Sequence, residues 1–475
     1  MESLPDLAKL SHPQKDALIH ELWDENVLLG QEVQHLRGCN AKLEQSLSEL
    51  QAKVNKPAKD SSNSSRPPST DQKENKPGTK PVGQRKGSLG REGGGRPLHP
   101  NPDQQIYARA KTCPHCGHEV REEEQHLHAV YDKIEIPPVK PIITRVHQYG
   151  GHCPHCDHDY VSSVPNGMEH GSPFGPSVQT LATYYRYTHA ISYERLSQMF
   201  GDLYSLDISE GALANLFHSA KSRMDDRTAE ILQRLRSSRL VASDETKVRV
   251  NGKGEWEWVF QNKDVCIHVI STTRSSSVIR DVMGKHRPQI WVSDLFSSQK
   301  DNPAYQWQVC LAHQLRDVQY AIDAGDTIFA PRMKRVLLRA IAIHKRRGTL
   351  AQSTLYQYRL DMKRRLKECL ALKPTEENGI RLKARYTELQ GNLFLFLEDA
   401  TIPPTNNSSE QAIRMSKIFL KVTNCFRSDW GKDLFAGVRS VINTGRRMGL
   451  NAYQAIKKAL SPFGSFFPPE KGPQE

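Results

Sequence analysis

Four β-branched and aromatic runs follow one another between residues 239 and 296: RLVASDETKVRVNG, GEWEWVFQN, DVCIHVISTT and QIWVSDLF. Turn residues separate them, and the helical piece SSVIRDVMG lies between the third and fourth. Such runs read as strands. The order strand, strand, strand, helix, strand predicts a mixed sheet flanked by helices, an α/β core. Two carboxylates interrupt these apolar runs. Asp244 falls in the middle of the first strand and Asp294 at the end of the fourth. A carboxylate at a strand end above a sheet is a common way to hold a divalent cation. A third acid, Glu410, opens a later helix in PPTNNSSEQAIRMSKIFLKVTNCF, after a Pro-Pro stop. Three such acids at one sheet edge could bind two Mg²⁺ or Mn²⁺ ions, since hard cations prefer oxygen ligands. A metal pair of this kind suits phosphoryl transfer. The plainer alternatives are that Asp244 pairs with Lys247 or Arg249, that Asp294 caps a turn, and that Glu410 forms a capping box with Asn407. Glu398, Asp399, Asp429 and Asp433 compete for the third place.

The segments around this core differ in composition. Over residues 1–54, Leu22, Leu29, Leu36, Leu43 and Leu50 fall seven apart, with Ile19, Asn26, Val33, Asn40, Leu47 and Val54 at the matching a positions. This heptad predicts a coiled coil that joins copies of the chain, rather than a helix docked on its own core. Residues 55–104 are rich in Pro, Gly, Ser and Lys and predict a flexible basic linker. Over 105–165 two matched knuckles appear, CPHCGH at 113–118 and CPHCDH at 153–158. Cys113, Cys116, Cys153 and Cys156 would supply four thiolates to a structural Zn²⁺. The run HAVYDKIEIPPVKPIITRVHQY between them is expected to form strands. Residues 166–238 read as helices, with Ser209 as an N-cap and a helix-turn-helix as one way of joining the last two. Residues 239–312 hold the strands, 313–400 a basic helical insertion, and 401–475 the end of the core and the tail.

Charge and length settle further points. The chain has 475 residues and a net charge of +13. Residues 313–400 carry 17 basic and 10 acidic side chains, and 55–100 carry 10 and 4. Positive patches of this size attract phosphate backbones, so nucleic acid is the natural partner. No apolar run approaches the roughly 18 residues of a membrane helix, and the N-terminus lacks the pattern of a signal peptide. A cytoplasmic protein with reduced or metal-bound cysteines, associated with the nucleoid when on DNA, is expected.

Over nearly its whole length the chain resembles the bacterial insertion-sequence transposases of the IS66 family. The resemblance rests on the leucine heptad, NSSRPPST at 63–70, the paired knuckles, EIPPVKPIITRVHQY at 135–149, DET at 244–246, VSD at 292–294, CLAH at 310–313, NNSSEQAIR at 406–414 and NTGRRMGLNAYQAI at 443–456. It implies an RNase-H-like catalytic domain with a DDE triad of Asp244, Asp294 and Glu410. Cys310 and His313 are placed near the site, with Arg316 and Arg414 as accessory residues. It implies DNA cleavage at element ends and strand transfer into target DNA, a homodimer or larger oligomer, and accessory proteins of the same element. Thr405 and Gln411 stand where the family usually has Asp and Arg. A nuclease that cuts without joining, and an inactive DNA-binding relative, are the competing readings.

Overall fold

A computed structural model describes residues 8–54, 57–60, 62–64 and 96–468. Helix α1 runs over His12–Val54. Strands β1 (Gly150–Cys153) and β2 (His158–Val161) pair antiparallel around the second knuckle. Helices α2 (Pro176–His189), α3 (Tyr193–Tyr204) and α4 (Glu210–Leu235) follow. The sheet strands are β3 (Leu240–Val250), β4 (Lys253–Gln261) and β5 (Cys266–Ser271). After α5 (Ser277–Met283) come β6 (Ile290–Ser293), α6 (Ser297–Lys300) and β7 (Gln306–Val309). The remaining helices are α7 (Leu311–Asp323), α8 (Ala330–Arg346), α9 (Gln352–Leu370), α10 (Glu377–Glu388) and α11 (Leu395–Glu398). They continue as α12 (Asn407–Thr423), α13 (Asp429–Arg447) and α14 (Ala452–Leu460). The five-stranded sheet has the order β5-β4-β3-β6-β7.

The chain divides into two compact units. The first comprises Met1–Asp71, Ser237–Asp244 and Ser275–Glu410; the second comprises Gln72–Arg236, Glu245–Arg274 and Gln411–Glu475. These units cut across the sequential segments read from composition. β3 gives its first half to one and its second half to the other.

In the first unit, β6 pairs in parallel with β3 and β7 in parallel with β6. The helices α7 to α11 bury Phe329, Met333, Leu337, Tyr386 and Phe396 against this sheet half. Asp326 starts α8 by accepting the backbone N–H groups of Ile328, Phe329 and Ala330, which satisfies donors that the first helical turn leaves open. Gly379 comes so near that a Cβ there would lie 2.5 Å from Asp326 Oδ2.

In the second unit, β3 turns into β4 through Asn251 and Gly252, at φ 48° and 77°. Both positions of a two-residue hairpin turn of this kind require positive φ, which Asn and Gly tolerate. β4 pairs antiparallel with β5. Trp258, Phe260, Phe217 and Phe435 are fully buried. Ser209 caps α4 as expected, accepting from the Ala212 N–H at 3.2 Å. α3 and α4 are joined by Ser205–Ser209.

Three expectations need correction. The run between the knuckles forms no strand: residues 126–149 are irregular and almost entirely exposed, and regular pairing begins only at Gly150. Two Pro at 137–138 and another at 141 remove ladder donors where alternation had suggested strands. Second, part of the expected linker is ordered. Asn63 is buried, its side chain donating to Asp323 Oδ2 at 3.0 Å, and the Lys59 ammonium lies 5.1 Å from the Tyr320 ring. Residues 65–95 of that linker lie outside the described residues. Third, the helix start before Glu410 is held by Asn406, not Asn407, as described below.

The heptad residues lie on one continuous helix, α1. Leu22, Leu29, Leu36 and Leu43 are each more than half exposed, so they do not dock on the chain's own core. Among the described residues, no helix is long and apolar enough to cross a membrane.

Candidate active site

The site lies where the β3–β6 ladder ends in the first unit. The last residues paired between these two strands are Ala242 and Val292. Asp244, inside β3, and Asp294, one residue past the end of β6, each stand two residues beyond this last pair. Both are half-buried. Asp294 Oδ1 accepts the Phe296 N–H at 3.0 Å, so the expected turn cap is present alongside any other role.

Glu410 reaches the same edge through Asn406. The Asn406 side chain is 1% exposed. Its Nδ2 donates to the Ser243 carbonyl at 2.7 Å, and its Oδ1 accepts the Ser409 hydroxyl at 2.6 Å. Its backbone N–H points at Cys310 Sγ, 3.1 Å away. The Ser409 and Glu410 N–H groups return to the Asn406 carbonyl at 3.1 and 3.3 Å. The first turn of α12 is therefore tied to the residue before Asp244. Asn407 is exposed and takes no part.

Cys310 closes this arrangement. Its N–H donates to the Ser293 carbonyl at 2.8 Å, one residue before Asp294. The thiol is fully buried, and burial pushes its pKa up to about 11, so it stays neutral and acts as an acceptor in packing. His313 and Arg316 lie on the next turns of α7. Glu410 Oε1 is 3.9 Å from His313 Nε2 and 4.0 Å from Arg316 Nη1, too far for hydrogen bonds. That buried oxygen has no hydrogen-bond partner, and neither has His313 Nδ1. A buried carboxylate oxygen without a donor is costly unless a cation or ligand meets it. Arg414 is exposed further along α12.

The other acids are engaged elsewhere. Glu398 pairs with Arg359 and Lys363, each at 3.2 Å. Asp399 pairs with Arg239 at 2.5 Å, and Asp429 with Lys432 at 2.9 Å. Burial raises the pKa of Asp433, which disfavours its charged form. Only Glu410 of these five has an inward oxygen without a donor among the described residues.

The donor set suits a hard divalent cation, with carboxylate oxygens only and one of them unsatisfied. Among the described residues, however, no three His, Cys, Asp or Glu side chains stand close enough to hold a metal. Holding one here would require the carboxylates to draw together. The same holds for the knuckles. Cys113 and Cys116 share one turn, closed by the Gly117 N–H on the Cys113 carbonyl, and Cys153 and Cys156 share another, closed by the Asp157 N–H on the Cys153 carbonyl. Backbone N–H groups lower the pKa of Cys113 and of Cys153. The two pairs are not gathered into one four-cysteine cluster.

Sequence reasoning missed Asn406 and β7. Asn406 carries no local signal beyond its place at the head of NNSSEQAIR. β7 is four residues, QWQV, too short for alternation to register.

An α/β protein with two acids beyond the end of one parallel ladder and a helix tied beside them is the class that fold and site define. The chain belongs to the IS66 family of transposases: the model described as "Transposase IS66 family" matches residues 171–433, more than half of it, and includes Asp244, Asp294 and Glu410. Residues 2–104 match a family of unknown function (DUF6444). Both cysteine pairs lie between the two matched regions. No curated protein matches the chain.

Proposed function

We propose that this transposase is a DDE enzyme with an RNase-H-like core, which cleaves DNA at the ends of its element and joins them to target DNA. The observation that carries the reading is that Asp244 and Asp294 each follow the last β3–β6 pair by two residues, with Asn406 tying the start of the Glu410 helix to Ser243. The sheet order β5-β4-β3-β6-β7 supports the core assignment.

Asp244, Asp294 and Glu410 would hold two Mg²⁺ or Mn²⁺ ions. Ions bound there would neutralise phosphate charge and make a water or a 3′-hydroxyl a stronger nucleophile. The chain's own contribution is placement. Asn406 and Cys310 fix the backbone from which the acids project. Arg316 lies within reach of Glu410 and brings positive charge to the edge where a phosphate would sit. In this reading Cys113, Cys116, Cys153 and Cys156 bind one structural Zn²⁺. The α1 heptad joins two copies, as a reaction on two DNA ends needs.

The test is cleavage and joining of DNA carrying the element's ends, with Mg²⁺ or Mn²⁺, by the natural chain and by Glu410→Gln. Loss of both steps in the variant, with DNA binding kept, supports the reading. Cleavage without joining by the natural chain would favour a nuclease. Undiminished joining by Glu410→Gln would sink the catalytic assignment.

A further inference from the structure

On α8, Arg332, Arg335 and Arg339 recur at spacings of three and four, so they share one face. That face borders a groove of about 320 Å³ whose other wall is α9, where Arg365 projects. Four guanidinium groups thus line one depression within the first unit.

Two of the four are committed. Asp361 accepts Arg339 Nη2 at 3.1 Å, Arg365 Nε at 2.7 Å and Arg364 Nη2 at 2.7 Å. One carboxylate orients three arginines and neutralises only one charge. Arg332 and Arg335 have no carboxylate within ion-pair distance among the described residues. Glu368 at the rim is held by Arg364 at 3.2 Å. The floor is apolar, formed by Val336, Leu372 and Cys369, whose buried thiol stays neutral.

This chemistry selects a class of ligand. Planar guanidinium forks match phosphate oxygens in geometry and charge. No aromatic ring and no side-chain amide lines the groove; a guanidinium can also meet a guanine edge, and comparing unrelated duplexes separates that contact from phosphate binding. We infer that the α8–α9 groove is a sequence-independent seat for DNA backbone phosphates, held chiefly by Arg332 and Arg335. It shares none of its residues with the acidic site of Asp244, Asp294 and Glu410. The inference rests on the reading that this chain acts on DNA, and it adds where a part of that DNA is gripped.

The experiment uses the full chain and a fluorescent duplex, without divalent cations, from 50 to 200 mM salt. It compares the natural chain, Arg332→Gln/Arg335→Gln, and a control of equal charge loss, Lys253→Gln/Lys263→Gln. Each phosphate neutralised contributes about 0.9 to the slope of log affinity against log salt, so the arginine variant's slope should be shallower by about 1.8. Over that fourfold salt range the natural chain then loses about 12-fold more affinity than the variant. The same change should appear on an unrelated duplex, and the control should keep the natural slope. Circular dichroism confirms that each variant is folded. An unchanged slope in the arginine variant, with the natural chain binding normally, overturns the groove alone. An equal fall in the control also overturns it, because net charge would then account for the effect. Failure of the natural chain to bind duplex DNA at all would overturn both the groove and the proposed function.

Discussion

Asn406→Ala tests how the site is built. Asn406 is buried and makes two side-chain hydrogen bonds, to the Ser243 carbonyl and from the Ser409 hydroxyl. Truncation leaves that carbonyl without this donor, at a cost of about 1–3 kcal/mol, and removes the hydroxyl's acceptor, at about 1 kcal/mol more. The expected loss of stability is therefore about 2–4 kcal/mol. The catalytic effect is separate. The helix start is no longer tied to the strand that bears Asp244, and a shift of about 1 Å in a reacting group can cost about 100-fold in rate. Urea unfolding followed by circular dichroism measures the first quantity, and single-turnover cleavage of end-bearing DNA at low urea measures the second. Asn407→Ala is the matched control, because Asn407 is exposed and should change neither. If Asn406→Ala unfolds within about 0.5 kcal/mol of the natural chain and cleaves at its rate, the tether is irrelevant and the account of Glu410 placement fails.

Further outcomes follow from other contacts. Gly379→Ala places a Cβ 2.5 Å from Asp326 Oδ2, so the cap of α8 must shift; a loss of about 1–2 kcal/mol is expected, and unchanged urea unfolding would contradict it. Asp361 is drawn to a pKa of about 2, first by its hydrogen bond to Arg365 and then by Arg364 and Arg339. Its folded value lies below its unfolded one, so its stabilising effect is complete above about pH 4 and fades as pH falls toward 2. Thermal unfolding of Asp361→Asn should thus fall short of the natural chain at pH 6 and converge with it in acid; a constant gap would refute the assignment. Leu29→Asp/Leu36→Asp alters side chains that are exposed in the single chain, so light scattering should report a smaller assembly with unchanged unfolding of the rest. An unaltered mass would argue against pairing through the heptad.

Much of this was legible in the sequence because the signals were local. The β-branched runs became β3 to β6, and Ser209 capped α4 because capping involves only three following residues. Asp244 and Asp294 stood out because each broke an apolar strand. What the sequence did not disclose was long-range or short in extent. The bond from Asn406 to Ser243 spans 163 residues, and no local pattern marks it. Between Asn406 and Asn407 the side chains are chemically identical, and only the helix start decides which one faces inward. β7 is stabilised by its neighbour β6 rather than by its own four residues. At 126–149 the alternation was real, but with prolines and no partner strand among the described residues it produced no sheet.

The most direct measurement of the central claim is the metal dependence of Asp294→Cys. A thiolate is a soft ligand that binds Mg²⁺ poorly and Mn²⁺ better. If Asp294 holds a catalytic cation, cleavage of end-bearing DNA should be lost in Mg²⁺ and partly return in Mn²⁺, with DNA binding unchanged. Cleavage by Asp294→Cys in Mg²⁺ at the natural rate would contradict the claim, because the carboxylate would then not be needed.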